Sequence, residues 1–242
     1  MWDERDSPVQ FVGPRRVREP GVRFKDLPQI DAVLISHSHF DHLNLGTLKK
    51  LWARDRPTIV AGLGADALLR PSGIPVIARD WGQSVSLSPT ASVTLRRAHH
   101  WSARGLHDRD MILWTAFQIA LPEGDIYYAG DTGPGDMKWA KLPTSRPIRF
   151  AVLPIGAIKV GAPASGNHIA PREAVEAFGQ LKAAYAVGVH WGTFELTNEP
   201  IDAPPRLLAQ ALAAKRISAD RFRVLEAGGA WDVPSLTRKL VD

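Results

Sequence analysis

The sequence contains no cysteine in its 242 residues. Disulfide bonds, thiolate metal sites and a cysteine nucleophile are therefore excluded, so any metal site has to use His, Asp and Glu. The chain also lacks any run approaching the roughly 18 apolar residues that a membrane-spanning helix needs. Its first ten residues, MWDERDSPVQ, have neither the basic start nor the apolar stretch of a signal peptide. We therefore expect a cytoplasmic protein.

Composition places the chain among ordinary globular proteins. Hydrophobic residues make up 45% of it and charged residues 23%, which excludes a disordered chain and supplies enough apolar side chains for a core. The length suits one large domain or two small ones. No internal repeat, low-complexity segment or long linker divides the chain, so the sequence predicts a single domain over residues 1–242.

The net charge of the sequence indicates its binding partners only weakly. Thirty Lys and Arg against 25 Asp and Glu give a formal net charge of +5, with a sequence pI near 9.7. This balance favours anionic partners, although a solvated basic surface explains so mild an excess equally well. No aromatic-basic repeat or recognition motif is present, so we do not expect a nucleic-acid partner.

Hydrophobic patterns predict a layered α/β domain. Helical periodicity indicates helices at residues 45–55, 171–184 and 204–216. Runs rich in β-branched and aromatic residues predict the strands 30–36, 57–62, 92–98, 111–120, 125–130, 149–156 and 184–190. The fourth and fifth runs flank a turn-like LPEG segment and predict a hairpin. Near-continuous apolar strands indicate sheets buried on both faces, with helices outside.

The strongest chemical signal is the segment His37-Ser38-His39-Phe40-Asp41-His42, directly after an apolar strand. Three imidazoles and a carboxylate in one loop can converge on a small volume. Nitrogen and oxygen ligands of this kind suit zinc, and also iron or manganese. The segment therefore predicts a metal site.

Other candidates are ambiguous when each is taken alone. His99 and His100 are adjacent, so on a strand they face opposite sides and only one is a natural ligand. His190 follows an apolar strand, where a histidine is often a satisfied core residue. Asp131 lies in GDTG, whose residues all favour turns. His107 is expected to be an ordinary exposed histidine.

Five stretches together carry a family resemblance. HSHFDH matches the HxHxDH motif of the metallo-β-lactamase superfamily. The wider sequence resembles the branch that contains N-acyl-phosphatidylethanolamine-hydrolysing phospholipase D. The matching stretches, between Ser7 and about Pro205, are SPVQFVGPRRVREPGVRFKDLPQIDAVLISHSHFDHL, AHHWSARGLHDRDMILW, YYAGDTG, HIAPREAV and VHWGTFELTNEP.

This resemblance implies a four-layer αββα sandwich and a dinuclear metal-dependent hydrolase, with zinc foremost and manganese or iron as alternatives. It implies that His100, rather than His99, is the metal ligand of this adjacent pair. The implied ligands are His37, His39 and His100 for one ion, Asp41, His42 and His190 for the other, and Asp131 for both.

The implied reaction is hydrolysis of a phosphodiester by a hydroxide that bridges the two metals. Asp41 or Asp131 would orient the hydroxide and accept its proton. His168 matches a histidine that acts at the scissile group, and the alternative is a loop histidine that caps or packs. The implied substrate is an anionic small molecule or a phospholipid, with peripheral contact to a membrane surface.

Two departures from the family pattern affect this interpretation. The resembling proteins carry a β-hairpin upstream of the segment that opens this chain, so we expect an N-terminally shortened protein without that hairpin. The stretch at residues 158–167, IKVGAPASGN, is small and nearly neutral where the phospholipase is aromatic and basic. Alternative hypotheses are therefore a lactonase or other ester hydrolase on the same centre, and an inactive binding protein.

Overall fold

The computed structural model describes residues 2–9, 11–141, 146–158 and 166–236. Its helices are α1 Leu45–Asp55, α2 Ala65–Leu69, α3 Pro171–Gln180 and α4 Ala203–Ala214. Its strands are β1 Ala32–Ile35, β2 Thr58–Gly62, β3 Ile77–Arg79, β4 Ser84–Ser88, β5 Ala91–Arg96, β6 Ala116–Ala120, β7 Asp125–Tyr128, β8 Ile148–Pro154, β9 Tyr185–Val189 and β10 Phe222–Val224.

The strands form two sheets. The smaller sheet has the order β1-β2-β3, and its strands are parallel. The larger sheet has the order β10-β9-β8-β7-β6-β5-β4. Strands β7 to β10 pair in parallel, and β4 to β7 pair antiparallel, so the predicted hairpin between β6 and β7 is confirmed.

Alternation along β2 shows how the two sheets are layered. Ile59 and Ala61 point to one face and pack in a cluster with side chains of α1 and α2. Val60 points to the opposite face and packs against Leu95 and Phe117 of the larger sheet. Because successive side chains of a strand alternate between faces, one strand contributes to both interfaces. The smaller sheet is therefore buried between helices and the larger sheet.

The other face of the larger sheet is covered by α3 and α4. Val175 and Phe178 of α3 and Leu208 of α4 are buried in one cluster with Leu153 of β8. Each helix presents an apolar stripe to the sheet, as the helical periodicity predicted. The layers therefore run helix, sheet, sheet, helix, and the predicted α/β sandwich is confirmed.

Four strands bring their carboxyl ends to one edge of the sandwich. Strands β5 and β7 run in the same direction because each is antiparallel to β6, and β9 follows β7 through the parallel pairs with β8. The end of β1 joins them, since the backbone N–H of Thr115 donates to the carbonyl of Ser36 at 2.8 Å. Residues that follow these four strands are therefore neighbours in space.

One predicted strand is too long. Residues 111–120 were expected to form one strand, but β6 begins only at Ala116. The preceding residues bond to the smaller sheet instead, since Leu113 N–H donates to Leu63 and Thr115 N–H donates to Ser36. These cross-sheet bonds compete with pairing along β5, so residues 111–115 connect the sheets.

Within the described ranges, no helix is both long and apolar enough to cross a membrane. Positions 159–165 of the small, neutral stretch lie outside the described residues. The expectations of one domain over residues 1–242 and of a shortened N-terminus stay predictions.

The close contact at Gly156 gives a test of this packing. A β-carbon on Gly156 would lie 2.2 Å from the carbonyl oxygen of His190, so we expect Gly156→Ala to lower the free energy of unfolding by about 1–3 kcal/mol. Gly179, exposed on α3 with no atom near its absent β-carbon, is the matched control. Gly179→Ala should raise stability by about 0.5–1 kcal/mol. Urea unfolding measures both, and equal effects would contradict the packing described.

Candidate metal centre

The strand ends place seven candidate side chains in one cluster. His37 to His42 follow β1, His100 follows β5, Asp131 follows β7 and His190 follows β9. Two groups have ligand atoms that all lie within 4.8 Å of one another. The first group is His37, His39, His100 and Asp131, and the second is Asp41, His42, Asp131 and His190. The structure therefore brings together all seven residues that the resemblance implied.

Asp131 is common to both groups. Its Oδ2 lies 3.2 Å from Nε2 of His42 and 3.3 Å from Nε2 of His190. The same oxygen lies 3.8 Å from Nε2 of both His37 and His100. A single carboxylate oxygen thus faces four imidazoles, two from each group.

Spacing within each group suits a small coordination shell. Nδ1 of His39 lies 2.8 Å from Nε2 of His37 and 3.3 Å from Nε2 of His100. In the other group, Oδ2 of Asp41 lies 3.2 Å from Nε2 of His190. Ligands about 2.0–2.1 Å from a tetrahedral ion are roughly 3.3 Å apart. The donor atoms of both groups are close to this separation.

Neighbouring groups orient the rings. The Ser36 hydroxyl lies 3.0 Å from Nδ1 of His37 and 3.3 Å from Nδ1 of His42. Nδ1–H of His100 donates to the Asn167 carbonyl at 2.9 Å. Because Nδ1 is engaged in each of these rings, Nε2 is the nitrogen that faces Asp131. Ser36 and Asn167 were not predicted, although Ser36 immediately precedes the motif.

The three histidines of the first group are neutral imidazoles at pH 7. Burial, followed by the neighbouring His42, lowers the pKa of His37 well below its ordinary value. Burial also lowers the pKa of His39 and brings the pKa of His100 to about 3. Neutral imidazole is the form that binds a metal. These three rings are therefore ready to act as ligands at neutral pH.

The second group is dominated by carboxylates. Burial works against a charged His42, but Asp131 and Asp41 raise its pKa well above the ordinary value. The same two carboxylates raise the pKa of His190 against the effect of burial. In turn the histidines hold the pKa values of both carboxyls well below their usual range, although burial raises them. This group stabilises positive charge.

The three remaining histidines, His99, His107 and His168, differ in their position relative to the cluster. Nδ1 of His168 lies 3.9 Å from Oδ2 of Asp131, and its ring stacks on His190 with centroids 5.3 Å apart. Burial lowers the pKa of His168 to about 4, so its ring is neutral at pH 7. His99 is exposed while its neighbour His100 is buried, and His107 is exposed. The structure thus places His168 beside the cluster and the other two outside it.

Arg104, which was not predicted as a site residue, supports the histidine loop. Nη1 of Arg104 donates to the carbonyls of Ser38 at 2.8 Å and Leu43 at 2.7 Å. Its guanidinium lies over the Phe40 ring, 4.0 Å from the centroid. Ser38 N–H also donates to the Ser102 hydroxyl at 3.2 Å. The Arg104 side chain thereby links both ends of the segment that carries His39, Asp41 and His42.

A cavity of about 430 Å³ opens onto the cluster. Its lining combines ligand candidates with apolar and acidic side chains: Asp6, His39, Phe40, Asp41, Trp101, Asp131, Ala157, His168, Leu196 and Thr197. Glu199 fixes one wall, because its carboxylate accepts from the backbone N–H groups of Ala157 and Ile158, each at 2.9 Å. Burial and the nearby Asp41 raise the pKa of Asp6 to about 7. The sequence analysis predicted neither Asp6 nor Glu199 as part of the site.

Comparison with known proteins identifies the family. The model of the beta-lactamase superfamily domain matches residues 1–191. The chain belongs to this superfamily. An N-acyl-phosphatidylethanolamine-hydrolyzing phospholipase D of Caenorhabditis elegans is 30% identical over 246 residues, which cover 96% of this chain and 69% of that protein. The predicted resemblance is confirmed.

Two further comparisons show how much of the chain and of each related protein the similarity covers. An uncharacterized protein of Mycobacterium tuberculosis is 36% identical over 218 residues, covering 87% of this chain, which spans only 58% of that relative. A metallo hydrolase of Ignicoccus hospitalis shares the fold, with a TM-score of 0.65, 22% identity and coverage of 86% and 82% of the two chains. The family match shows membership of the superfamily, the solved structure shows the fold, and the two His/Asp groups have the composition and spacing of metal sites.

The role of Arg104 can be tested against a neighbour in the same loop. Arg104→Met removes two charge-assisted hydrogen bonds, so we expect a loss of about 2–4 kcal/mol in stability and faster hydrogen exchange at residues 38–43. Arg109 is exposed and lies over the Trp101 ring, so Arg109→Met is the control. Unchanged exchange at residues 38–43 in the Arg104 variant would exclude the proposed support.

Proposed function

We propose that this chain is a dinuclear metal-dependent phosphodiesterase of the phospholipase D type. The observation that carries the proposal is the position of Asp131 Oδ2 between two separate groups of imidazoles. Two adjacent groups that share one carboxylate would hold a pair of metal ions. The cavity at this point would admit a substrate to both groups.

The residues fit such ions in their chemistry as well as in their position. Asp131 Oδ1 and His39 Nε2 are buried and have no hydrogen-bond partner within the described residues. His37, His39 and His100 would hold one ion, and Asp41, His42 and His190 the other, with Asp131 shared. The nitrogen and oxygen donors favour zinc, with manganese or iron as alternatives. When bound, two such ions supply Lewis acidity and lower the pKa of water.

The chain's own residues supply orientation and proton handling. Asp41 and Asp131 provide the carboxylate oxygens that orient an attacking water and accept its proton. His168 reaches the same point from the cavity side, 3.9 Å from Asp131 Oδ2, as a neutral ring that carries one N–H group. We assign to it contact with the leaving oxygen, whose developing charge an N–H donor stabilises.

Substrate class is supported by the cavity and by the relatives. Phe40, Trp101 and Leu196 give the cavity an apolar wall beside the polar cluster, as an amphiphilic ester requires. The C. elegans relative is named for hydrolysing a phospholipid. Phe11 and Leu106 are 82% and 94% exposed on segments that also carry Asp6 and Trp101. Peripheral membrane contact stays a prediction that these exposed side chains support.

Metal stoichiometry and turnover test the proposed centre together. Elemental mass spectrometry of the zinc-loaded chain should find about two ions per chain. Asp131→Ala, which removes the shared oxygen, should lose metal and at least about 100-fold in turnover of bis(p-nitrophenyl) phosphate and of N-acyl-phosphatidylethanolamine vesicles. Asp136→Ala is the control, because Asp136 is exposed and pairs with Lys138 outside the cluster.

The same assays separate the competing functions. Hydrolysis of a lactone without any phosphodiester turnover would support the ester-hydrolase alternative and overturn the phosphodiesterase proposal. Full metal with no turnover of either class would support a binding protein. His168→Gln should keep its metal but lose about 100-fold in turnover. Normal turnover in that variant would remove His168 from the mechanism.

Because the histidines of the two groups have different pKa values, the binding affinities of the two ions should depend differently on pH. His42 and His190 both have raised pKa values, so an ion that binds between them has to displace protons, and its affinity falls at least about tenfold for each pH unit of acidification. His37 and His100 have lowered pKa values and carry no proton to displace. Zinc titration calorimetry at pH 6, 7 and 8 should therefore show one pH-dependent and one nearly pH-independent equivalent. Equal dependence of both would contradict the prediction.

A further inference from the structure

A second cavity, of about 280 Å³, has a basic and aromatic lining and includes none of the seven ligand candidates. Four cations and two tryptophans line it, namely Arg96, Arg97, Lys138, Lys141, Trp81 and Trp139. None of the described residues that line it is acidic, and the nearby Asp136 pairs with Lys138 at 2.7 Å. The lining therefore has a net positive charge around a space that admits a small molecule.

Arg96 is held in place in this cavity by a neutral partner. Its Nε and Nη2 donate to Oε1 of Gln118 at 2.9 and 2.6 Å. The Gln118 amide is oriented in turn, because its Nε2 donates to Oδ2 of the buried Asp125 at 2.5 Å. The charge of Asp125 is compensated by Arg146, whose Nε lies 2.6 Å from Oδ1. The Arg96 guanidinium is thus fixed by an amide oxygen, and its positive charge remains available to an anion.

A tryptophan supports the neighbouring cation. The ring nitrogen of Trp81 donates to the Trp114 carbonyl at 2.8 Å, and the two rings meet edge to face with centroids 5.9 Å apart. The Arg97 guanidinium lies over the Trp81 ring, 4.9 Å from its centroid. Among the residues that the structure describes, neither Arg97 nor Lys141 pairs with a carboxylate. A supported guanidinium without an anionic partner suits phosphate oxygens, which it contacts in pairs.

Volume and charge together restrict the ligand of this cavity. Typical small-molecule sites enclose about 300–1,000 Å³, so a cavity at the lower end of that range excludes a long acyl chain. Four adjacent cations repel one another, and an anion with more than one charge compensates them best. The tryptophan walls exclude water on one side, which strengthens that attraction. A compact anion with several phosphate oxygens fits these conditions.

We propose that this cavity binds a diphosphate group, carried either by a nucleoside diphosphate or by inorganic pyrophosphate. Arg96, Arg97 and Lys141 would contact the phosphate oxygens. Trp81 and Trp139 form the apolar wall beside them. Because no candidate metal ligand lines the cavity, this site does not depend on the proposed phosphodiesterase function.

Equilibrium dialysis of the full chain against labelled ADP tests the proposal. Unlabelled pyrophosphate should displace the ADP, whereas adenosine, which lacks the diphosphate, should not. Displacement by pyrophosphate at the concentration that unlabelled ADP requires identifies the diphosphate alone as the ligand. A requirement for more pyrophosphate than ADP shows that the nucleoside adds contacts. Displacement by adenosine but not by pyrophosphate overturns the proposal.

Three variants assign the binding to this cavity. Arg97→Met and Lys141→Met should each weaken ADP binding at least about tenfold, as expected for a lost hydrogen bond between charged groups. Both residues are exposed, so these variants should unfold at the wild-type temperature. Arg56→Met is the matched control, because Arg56 is also exposed and lies over the Trp52 ring, 5.0 Å from its centroid. This control should bind ADP as the wild type does.

Hydrogen exchange locates the bound ligand independently. ADP should slow exchange at residues 81–83, 95–97 and 138–141 and leave residues 37–42 unchanged. Protection confined to residues 37–42 would place ADP at the metal cluster and overturn the proposal. The absence of ADP binding, or equal weakening by Arg97→Met and the Arg56→Met control, would overturn it as well.

Discussion

The site depends on one buried carboxylate, Asp131. A charged group that is buried in this way is strongly unfavourable unless charge and hydrogen bonds compensate it, and the compensation here comes from imidazoles on the loops after β1, β5 and β9. The carboxyl ends of four strands have to meet for those loops to converge. The imidazoles can therefore surround the Asp131 carboxylate only because the two sheets pack together.

Sequence patterns were sufficient for most of the fold. The helix at 45–55 was predicted at its observed bounds, because its apolar stripe and its ends are local signals. Strands β3, β4 and β10 were not predicted, since β3 and β10 are only three residues long and β4, SVSLS, has serine in place of β-branched or aromatic residues at alternate positions. Residues 111–115 were wrongly assigned to a strand because their apolar character reflects a cross-sheet connection. Pairing partners are a property of the fold, and local composition does not record them.

In the candidate site too, some residues could be predicted from local sequence patterns and others could not. The seven ligand candidates lie in short motifs, so a resemblance carried by five strings located all of them. Arg104 and Asn167 act through contacts that join distant parts of the chain, such as Arg104 Nη1 to the Leu43 carbonyl. No local pattern marks a residue whose role is to support a loop 61 positions earlier. The clustering of these seven residues was thus predictable, their binding of metal stays a prediction, and the residues that orient them were not predictable.

The hydroxyl of Ser36 has a consequence for how the two halves of the cluster communicate. It contacts Nδ1 of His37 in one group and Nδ1 of His42 in the other, but it has a single proton and two lone pairs. If one ring loses its Nδ1 proton and becomes an acceptor, the hydroxyl has to turn towards it, and it can then serve only as an acceptor for the other. The tautomers of His37 and His42 are therefore not independent choices. A proton rearrangement in one half of the site is transmitted to the other by rotation about a single C–O bond.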